Sequence, residues 1–311
     1  MIAAAVAGLA LGASYALLAT GFTVVFGVLR RIDLAYGASI MLGLYAAIWL
    51  HREGMAGAPA LAPVVIAVTV LAAAYVERLC FAPHADRPPV TAMAASFAIW
   101  MQLQEIAVLA LPLHTYPFPS PFAGAWPAGA LGGIRPEHVL ALVAAAAIGL
   151  GLARLLGHTR FGLAVRATTE NRAAAACAGI DTRRVAIAVF GLAAAIGGVA
   201  GYLIACIDGQ VAPHFAMRAT LDGIAAAILG GLGSIPGAIA GGLLLGLVEA
   251  AARSAWGPQQ ADLARYGLLL AVLAAAPGGL AGIAGAARRR LAARRRASGR
   301  RVGEASAAGE A

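Results

Sequence analysis

The sequence predicts an all-α, polytopic membrane protein with about eight to nine transmembrane helices. Hydrophobic residues make up 61% of the 311-residue chain and charged residues only 12%, whereas an average soluble domain has about 45–50% and about 25%. Apolar stretches long enough to cross a bilayer recur along the chain. The 39 glycines follow no Gly-X-Y period, so the composition excludes a collagen-like chain, and its apolar content excludes a disordered one.

Nine apolar segments are candidate spans, because a helix that rises about 1.5 Å per residue needs about 20 residues to cross the hydrocarbon core. They cover residues 2–28, 34–50, 59–76, 91–111, 139–156, 185–207, 220–232, 235–252 and 266–283. The first has no basic segment before it, so we expect a mature helix and not a cleaved leader. The seventh is short and is followed by a break at Gly230, Gly231, Gly233 and Pro236. This pattern predicts a short or re-entrant helix whose break packs tightly, acts as a hinge or lines a pore.

The basic residues predict the orientation of the chain. All 23 are arginines, and cytoplasmic loops carry the excess of basic residues. Nine spans with the C-terminus inside leave only five arginines outside, which are Arg52, Arg135, Arg218, Arg253 and Arg265. We therefore expect an external N-terminus, a membrane domain over residues 1–285 and an Arg-rich, disordered cytoplasmic tail over residues 286–311. We interpret the tail as an anchor to anionic lipid and not as a nucleic-acid-binding patch.

The reactive side chains argue against an enzyme. Without a single lysine the chain has no P-loop and no Schiff-base lysine, so it does not hydrolyse ATP by itself. The six histidines have no metal-ligand spacing, and Cys80, Cys177 and Cys206 form no C-x-x-C pair. We predict no catalytic residue, no metal and no cofactor.

The predicted cytoplasmic connection between the fifth and sixth spans, at residues 158–184, has the pattern of ordered structure. Residues 167–178 are rich in alanine, which favours a helix. Gly179 follows at the position of a C-cap glycine. We predict a short amphipathic helix at the membrane surface, which either receives a partner protein or rests on lipid.

Four blocks of sequence resemble the permeases of ABC importers, and in particular the branched-chain amino acid permeases. Glu170, the alanines after it and Gly179 resemble the coupling-loop motif of these importers. The other blocks are residues 11–43, Glu77-Arg78-Leu79 followed by Pro83, and residues 229–242. The similarity covers most of residues 8–283 and leaves residues 112–136 and the basic tail unmatched. Asp33 and Tyr36 stand where the family usually has Asn and His.

The resemblance implies one permease subunit of a bacterial inner-membrane importer for branched-chain or related amino acids. Its partners would be a second related permease subunit, two cytoplasmic ATPases and an external solute-binding protein, which agrees with the missing P-loop. The ATPases would dock on the 158–184 loop. The residues that the resemblance assigns to this coupling are Arg166, Glu170, Ala174 and Gly179.

Polar residues within apolar spans are candidates for the substrate pathway, because they are costly in lipid. Gln102 and Glu105 share one helical face, and Gln104 lies beside them but is rotated away. Two interpretations fit these residues. Either they line the substrate pathway, or Glu105 is protonated or paired within a subunit interface. Two other acidic residues have a basic residue one turn away, and these predicted pairs are Arg218 with Asp222 and Glu249 with Arg253.

Two other classes of protein fit parts of this pattern. A single-chain secondary transporter or channel for a small polar solute would also be apolar and rich in glycine, but it needs no coupling loop. A purely structural membrane subunit would leave the polar residues of the fourth span without a role. Within the permease family, the substrate could also be another amino acid, urea or a short-chain amide.

Overall fold

The computed structural model describes residues 2–55, 57–85, 87–111, 115–121, 135–275 and 279–282. Over these residues the chain forms α-helices, a 3-10 turn at Ala58–Ala60, a π-helical turn at Glu77–Phe81 and two short strands. The helices are α1 (Ile2–Leu29), α2 (Tyr36–Arg52), α3 (Leu61–Val76), α4 (Pro89–Ala110), α5 (Pro136–His158), α6 (Arg160–Glu170), α7 (Arg172–Cys177), α8 (Thr182–Asp208), α9 (Phe215–Gly230), α10 (Ile235–Trp256) and α11 (Pro258–Ala275). The predicted tail at residues 286–311 lies outside the described residues.

Each of the nine predicted spans corresponds to one helix, and α6 with α7 forms the connection between α5 and α8. Seven stretches of the described part are long and apolar enough to cross a membrane, and one of them joins the 3-10 turn, α3 and the π-helical turn into a single stretch, Ala58–Phe81. The two predicted spans that fall short of this length are α2, with 17 residues, and α9, with 16. The predictions of an all-α membrane protein and of a short seventh segment are therefore confirmed, although α9 begins earlier, at Phe215.

Helix α1 lies at the centre of the bundle and packs against α5, α8, α9 and α10. Gly246 of α10 lies directly against the backbone of Gly12, and Gly242 lies against the backbone of Ala16, so neither α10 glycine has room for a side chain. A side chain on Gly8 would meet the Cβ of Ala250. Small residues allow such close approach, and packing replaces the hydrophobic effect as the attraction between helices in lipid. Two glycines spaced by four residues, as Gly8 and Gly12 are, are typical of such a contact.

Contacts outside the helices join both ends of the bundle. Strand β1 (Tyr116–Pro117), after α4, pairs antiparallel with β2 (Gln210–Val211), after α8. At the opposite end, the Arg31 guanidinium donates hydrogen bonds to the backbone carbonyls of His84, Ala85 and Arg87. Helices α1 and α3 therefore end on one side of the bundle, and α4 and α8 end on the other.

Candidate coupling surface, transport pathway and buried ion cluster

Helix α6 is fixed to the end of α5. The Thr159 hydroxyl caps α6 by accepting from the Gly162 N–H at 3.1 Å, and the Gly162 backbone lies against the Leu156 carbonyl. Arg166 Nη1 donates to the carbonyls of Leu156 at 2.7 Å and of Gly157 at 3.3 Å. The Arg166 side chain is therefore used to close the end of α5.

The prediction of a single helix over residues 167–178 is wrong, because the helix breaks at Asn171. This residue has extended backbone angles, with φ −153° and ψ 105°. Its side-chain oxygen accepts from the Ala174 N–H at 3.0 Å, and asparagine is a favoured N-cap for this reason. The segment therefore forms α6, which packs on the bundle, and the separate short helix α7.

Helix α7 presents small side chains on its exposed surface. Ala175 is its buried residue, whereas Ala174 and the preceding Glu170 are exposed. Cys177 at its end is also exposed. A surface of alanines allows another protein to approach the helix backbone closely.

The end of α7 is fixed by Gly179, which has φ +82°. The N–H groups of Gly179 and Ile180 donate to the carbonyls of Ala176 and Ala175, each at 3.0 Å. These two bonds form a Schellman motif, which favours glycine at this position. The prediction of a C-cap at Gly179 is confirmed, and Asp181 caps the following helix α8 by accepting from the N–H groups of residues 183 and 184.

The polar residues of α4 lie on the outside of the chain. Gln102 and Glu105 are exposed and Gln104 is half-buried. The Tyr75 hydroxyl of α3 donates to Gln102 Oε1 at 3.2 Å. An ionised carboxylate facing hydrocarbon is costly, so lipid tails are a poor environment for Glu105.

The predicted break after the seventh segment is a tight connection between α9 and α10. Gly231 has φ +99° and Gly233 has φ +90°, and Gly230 lies directly against Gly237 of α10. Pro236 occupies the first turn of α10, where its missing N–H is tolerated. Movement about this connection stays a prediction.

An apolar cavity of about 760 Å³ lies between α1, α5 and α10. Its walls include Ala16, Ala146, Gly149, Ile239 and Leu243. Ligand pockets in proteins enclose about 300–1,000 Å³. The cavity is therefore large enough for a small molecule with an aliphatic side chain.

A cluster of ion pairs is buried between α1, α9, α10 and α11. Its central residue is Arg265 of α11, whose side chain is only 1% exposed. Arg265 Nη1 lies 3.1 Å from Asp222 Oδ2 and 3.2 Å from Glu249 Oε2. The Tyr15 hydroxyl donates to Glu249 Oε2 at 2.7 Å, and Arg265 Nη2 pairs with Asp262. One side chain of α11 thus contacts three other helices.

Both predicted local pairs belong to this cluster. Arg218 Nε lies 4.0 Å from Asp222 Oδ2, and Arg253 Nη2 lies 2.5 Å from Glu249 Oε1. The sequence reasoning missed Arg265 because it counted that residue only as an external charge. The available signal was Asp262 three residues before Arg265, within an otherwise largely apolar helix.

Apolar spans around a close-packed centre, with an exposed and firmly capped helix at one end, have the organisation of the membrane subunit of a transporter. The sequence profile described as branched-chain amino acid transport system / permease component matches residues 4–274. The chain therefore belongs to the branched-chain amino acid permease family.

Among the described residues, no group of three or more His, Cys, Asp or Glu side chains could hold a metal ion.

Two curated relatives match nearly their whole length. The chain is 31% identical over 288 residues to the high-affinity branched-chain amino acid transport system permease protein LivH of Escherichia coli K12, covering 88% of this chain and 93% of LivH. It is 29% identical over 287 residues to the permease protein BraD of Pseudomonas aeruginosa, covering 88% and 94%. Among solved structures, PsaBC from Streptococcus pneumoniae in complex with Fab matches with a TM-score of 0.52 at 11% identity, covering 86% of this chain and 90% of that one. This last likeness concerns the fold alone.

Proposed function

We propose that this chain forms the transmembrane pathway of an ATP-driven importer for branched-chain or related amino acids in a bacterial inner membrane. One of two ATPase subunits docks on the 158–184 loop, a second related permease subunit completes the pathway, and an external binding protein delivers the substrate. The N-terminus lies outside and the C-terminus in the cytoplasm. The chain itself carries no catalytic centre.

The observation that carries this proposal is the structure of residues 158–184, which contain α6 and α7 and which we call the coupling segment. Helix α7 is exposed, yet it is held at both ends, by the Asn171 cap and by the Schellman motif at Gly179. Only residues 178–181 separate it from α8, a helix of 27 residues that packs on α1, α2 and α3. A displacement of α7 by an ATPase would therefore reach the centre of the bundle without a flexible linker.

The experiment is to replace Gly179 by leucine and to measure ATPase co-purification and amino-acid uptake. Leucine is strained at φ +82° and distorts the end of α7, so we expect at least a ten-fold loss of uptake and release of the ATPase. Gly54 is a matched control. Like Gly179, it has a positive φ, +70°, and open space around it, but it follows α2 at the opposite end of the bundle. Normal uptake by Gly179→Leu at normal expression would contradict the proposal, as would an equal loss in Gly54→Leu.

We assign the polar surface of α4 to the pathway at the contact with the second permease subunit. Gln102 and Glu105 are exposed on the same face, and a carboxylate there is better placed near water or a partner than near lipid tails. The apolar cavity between α5 and α10 is suited to an aliphatic substrate side chain. The two features are separate surfaces, since α4 packs on α2 whereas the cavity lies between α1, α5 and α10.

Glu105→Gln tests this assignment. We expect the KM or the maximal rate of uptake to change by several-fold, with unchanged assembly, because the substitution removes a charge and keeps the shape. Glu53→Gln is the control, since Glu53 is an exposed carboxylate just after α2. Wild-type kinetics for Glu105→Gln would leave this residue with a structural role only.

The main alternative is a carrier that works alone, and the buried carboxylates Asp222 and Glu249 are the observation that favours it. An ion-coupling carboxylate must release its partner during transport. Here both acids are paired with arginines, and Arg265 contacts both. Solute movement by the purified chain in ATP-free liposomes would nevertheless establish the carrier and overturn the importer.

A further inference from the structure

A second cavity, of about 670 Å³, lies where α1 ends and α8 begins. Its walls come from the end of α1, the π-helical turn after α3, the segment after that turn, α6, the first residue of α7 and the start of α8. Three membrane spans end or begin at this level, at Leu29, Phe81 and Thr182. The cavity therefore lies at the depth where spans meet the headgroup layer of a bilayer.

Arginines dominate the charge of this cavity. The five that line it are Arg30, Arg31, Arg78, Arg172 and Arg183, and Glu77 is the acidic residue among the described lining residues. Arg31 holds the segment after α3 in place through three backbone carbonyls. Arg30, Arg78 and Arg183 are exposed, and Arg172 Nε lies 3.5 Å from Thr182 Oγ1. An anion would thus meet guanidinium groups from four separate parts of the chain.

The surface of α3 beside this cavity is apolar except for the Tyr75 hydroxyl, which donates to Gln102 of α4. Leu71 and Tyr75 of α3 and Leu79 of the π-helical turn are exposed. Their spacing of four residues puts them on one side of a helix. Arg78, beside Leu79, is a wall of the cavity. An aliphatic chain along this row would end next to the arginines.

We propose that this cavity binds the phosphate headgroup of an anionic phospholipid, with the acyl chains along the exposed row of α3. Guanidinium groups bind phosphate through planar, charge-assisted hydrogen bonds, and basic pockets at the end of spans suit such headgroups. This inference rests on the proposed function for one point, the orientation of the chain, which places the arginine-rich end on the cytoplasmic side of the membrane.

Such a lipid would connect the coupling segment to the bundle. Thr168 and Thr169 of α6 and Arg172 of α7 share the cavity with the ends of α1 and α8. A headgroup in this position would neutralise guanidinium groups that otherwise repel each other across these elements. The lipid would therefore favour one arrangement of α6 and α7 relative to α8.

Native mass spectrometry of the full chain in mild detergent tests the site with phosphatidylglycerol, with phosphatidylcholine and with inorganic phosphate as a competitor. We expect phosphatidylglycerol to bind at least ten-fold more tightly than phosphatidylcholine. Arg78→Gln with Arg183→Gln should weaken phosphatidylglycerol binding about twenty-five-fold, since each arginine near an anionic headgroup contributes about five-fold. Millimolar phosphate should not displace the lipid, because the row on α3 also holds its chains.

Arg184→Gln is the matched control. Arg184 neighbours Arg183 and has an 87% exposed side chain paired with Asp181, but it is not a wall of the cavity. Equal binding of the two lipids, or equal losses in Arg184→Gln and the double variant, would refute the lipid site. Displacement by phosphate would reassign the cavity to a free anion. Lipid binding and amino-acid uptake are separate measurements. If the protein supports uptake but shows no preference between the two lipids, only this inference is refuted. If it binds the lipid but supports no uptake, only the proposed function is refuted.

Discussion

The two arginine groups of this protein lie in opposite environments. Arg265, in the cluster with Asp222 and Glu249, is sealed among four helices and directly paired. The arginines of the cavity between α1 and α8 are mostly exposed, and among its described walls five arginines accompany one acidic residue. A sealed and balanced group holds helices together, whereas an open group with excess charge attracts a ligand. The same side chain therefore serves structure in one place and, by our proposal, binding in the other.

The largest expected difference between the two groups is in stability. Arg265→Ala leaves Asp222 and Glu249 without their common buried partner, and breaking a buried ion pair costs about 3–5 kcal/mol. Arg183→Ala in the open cavity should leave the free energy of unfolding nearly unchanged. Denaturant titration of both variants in detergent measures this difference in the free energy of unfolding. Equal losses would show that the cavity arginines are as structural as Arg265.

A smaller effect should come from a buried carboxylate to which no arginine is paired in the described part of the chain. Asp33 is buried between α1 and α2, and burial raises its pKa from 3.8 to about 7, although the Ala35 N–H donates to it and lowers the pKa. The pKa of Asp33 is higher in the folded than in the unfolded state. The free energy of unfolding is therefore highest below about pH 4 and falls as the pH rises towards 7.

Asp33→Asn removes this dependence and keeps an oxygen for the Ala35 N–H. We expect the thermal midpoint of the variant to exceed that of the parent chain at pH 8, with the difference shrinking to nothing near pH 4. A series of thermal melts from pH 4 to pH 8 measures it. A constant difference across the series would mean that ionisation of Asp33 does not matter. The prediction extends the comparison, since Asp222 and Glu249 have the arginine contact that Asp33 lacks.

The sequence predicted features that depend on neighbouring residues. The apolar segments, the C-cap at Gly179 and the close approach at Gly8 and Gly12 follow from short patterns, and all are present. The break at Asn171 was missed because the alanine-rich composition favours a continuous helix, whereas the asparagine side chain competes for the backbone N–H of Ala174. Local patterns were sufficient except where two of them competed, as alanine and asparagine do at the end of α6.

Features that depend on distant residues could not be predicted in the same way. Arg265 and Tyr15 are 250 residues apart in sequence, yet their side chains meet at 3.3 Å. The arginine-lined cavity likewise collects residues from α1, α7 and α8. Gln102 and Glu105 were correctly placed on one face, but only the bundle shows that this face is on the outside. Which helices are neighbours decides all three features.

The exposed cysteine at the end of α7 makes this helix, our proposed docking site for an ATPase, directly observable. Cys177 is exposed, whereas Cys80 and Cys206 are buried. A maleimide dye applied to the folded, unmodified chain should therefore react first at the last residue of α7. Fluorescence from that dye would report when a partner covers the helix and when it leaves, in real time and without an engineered residue.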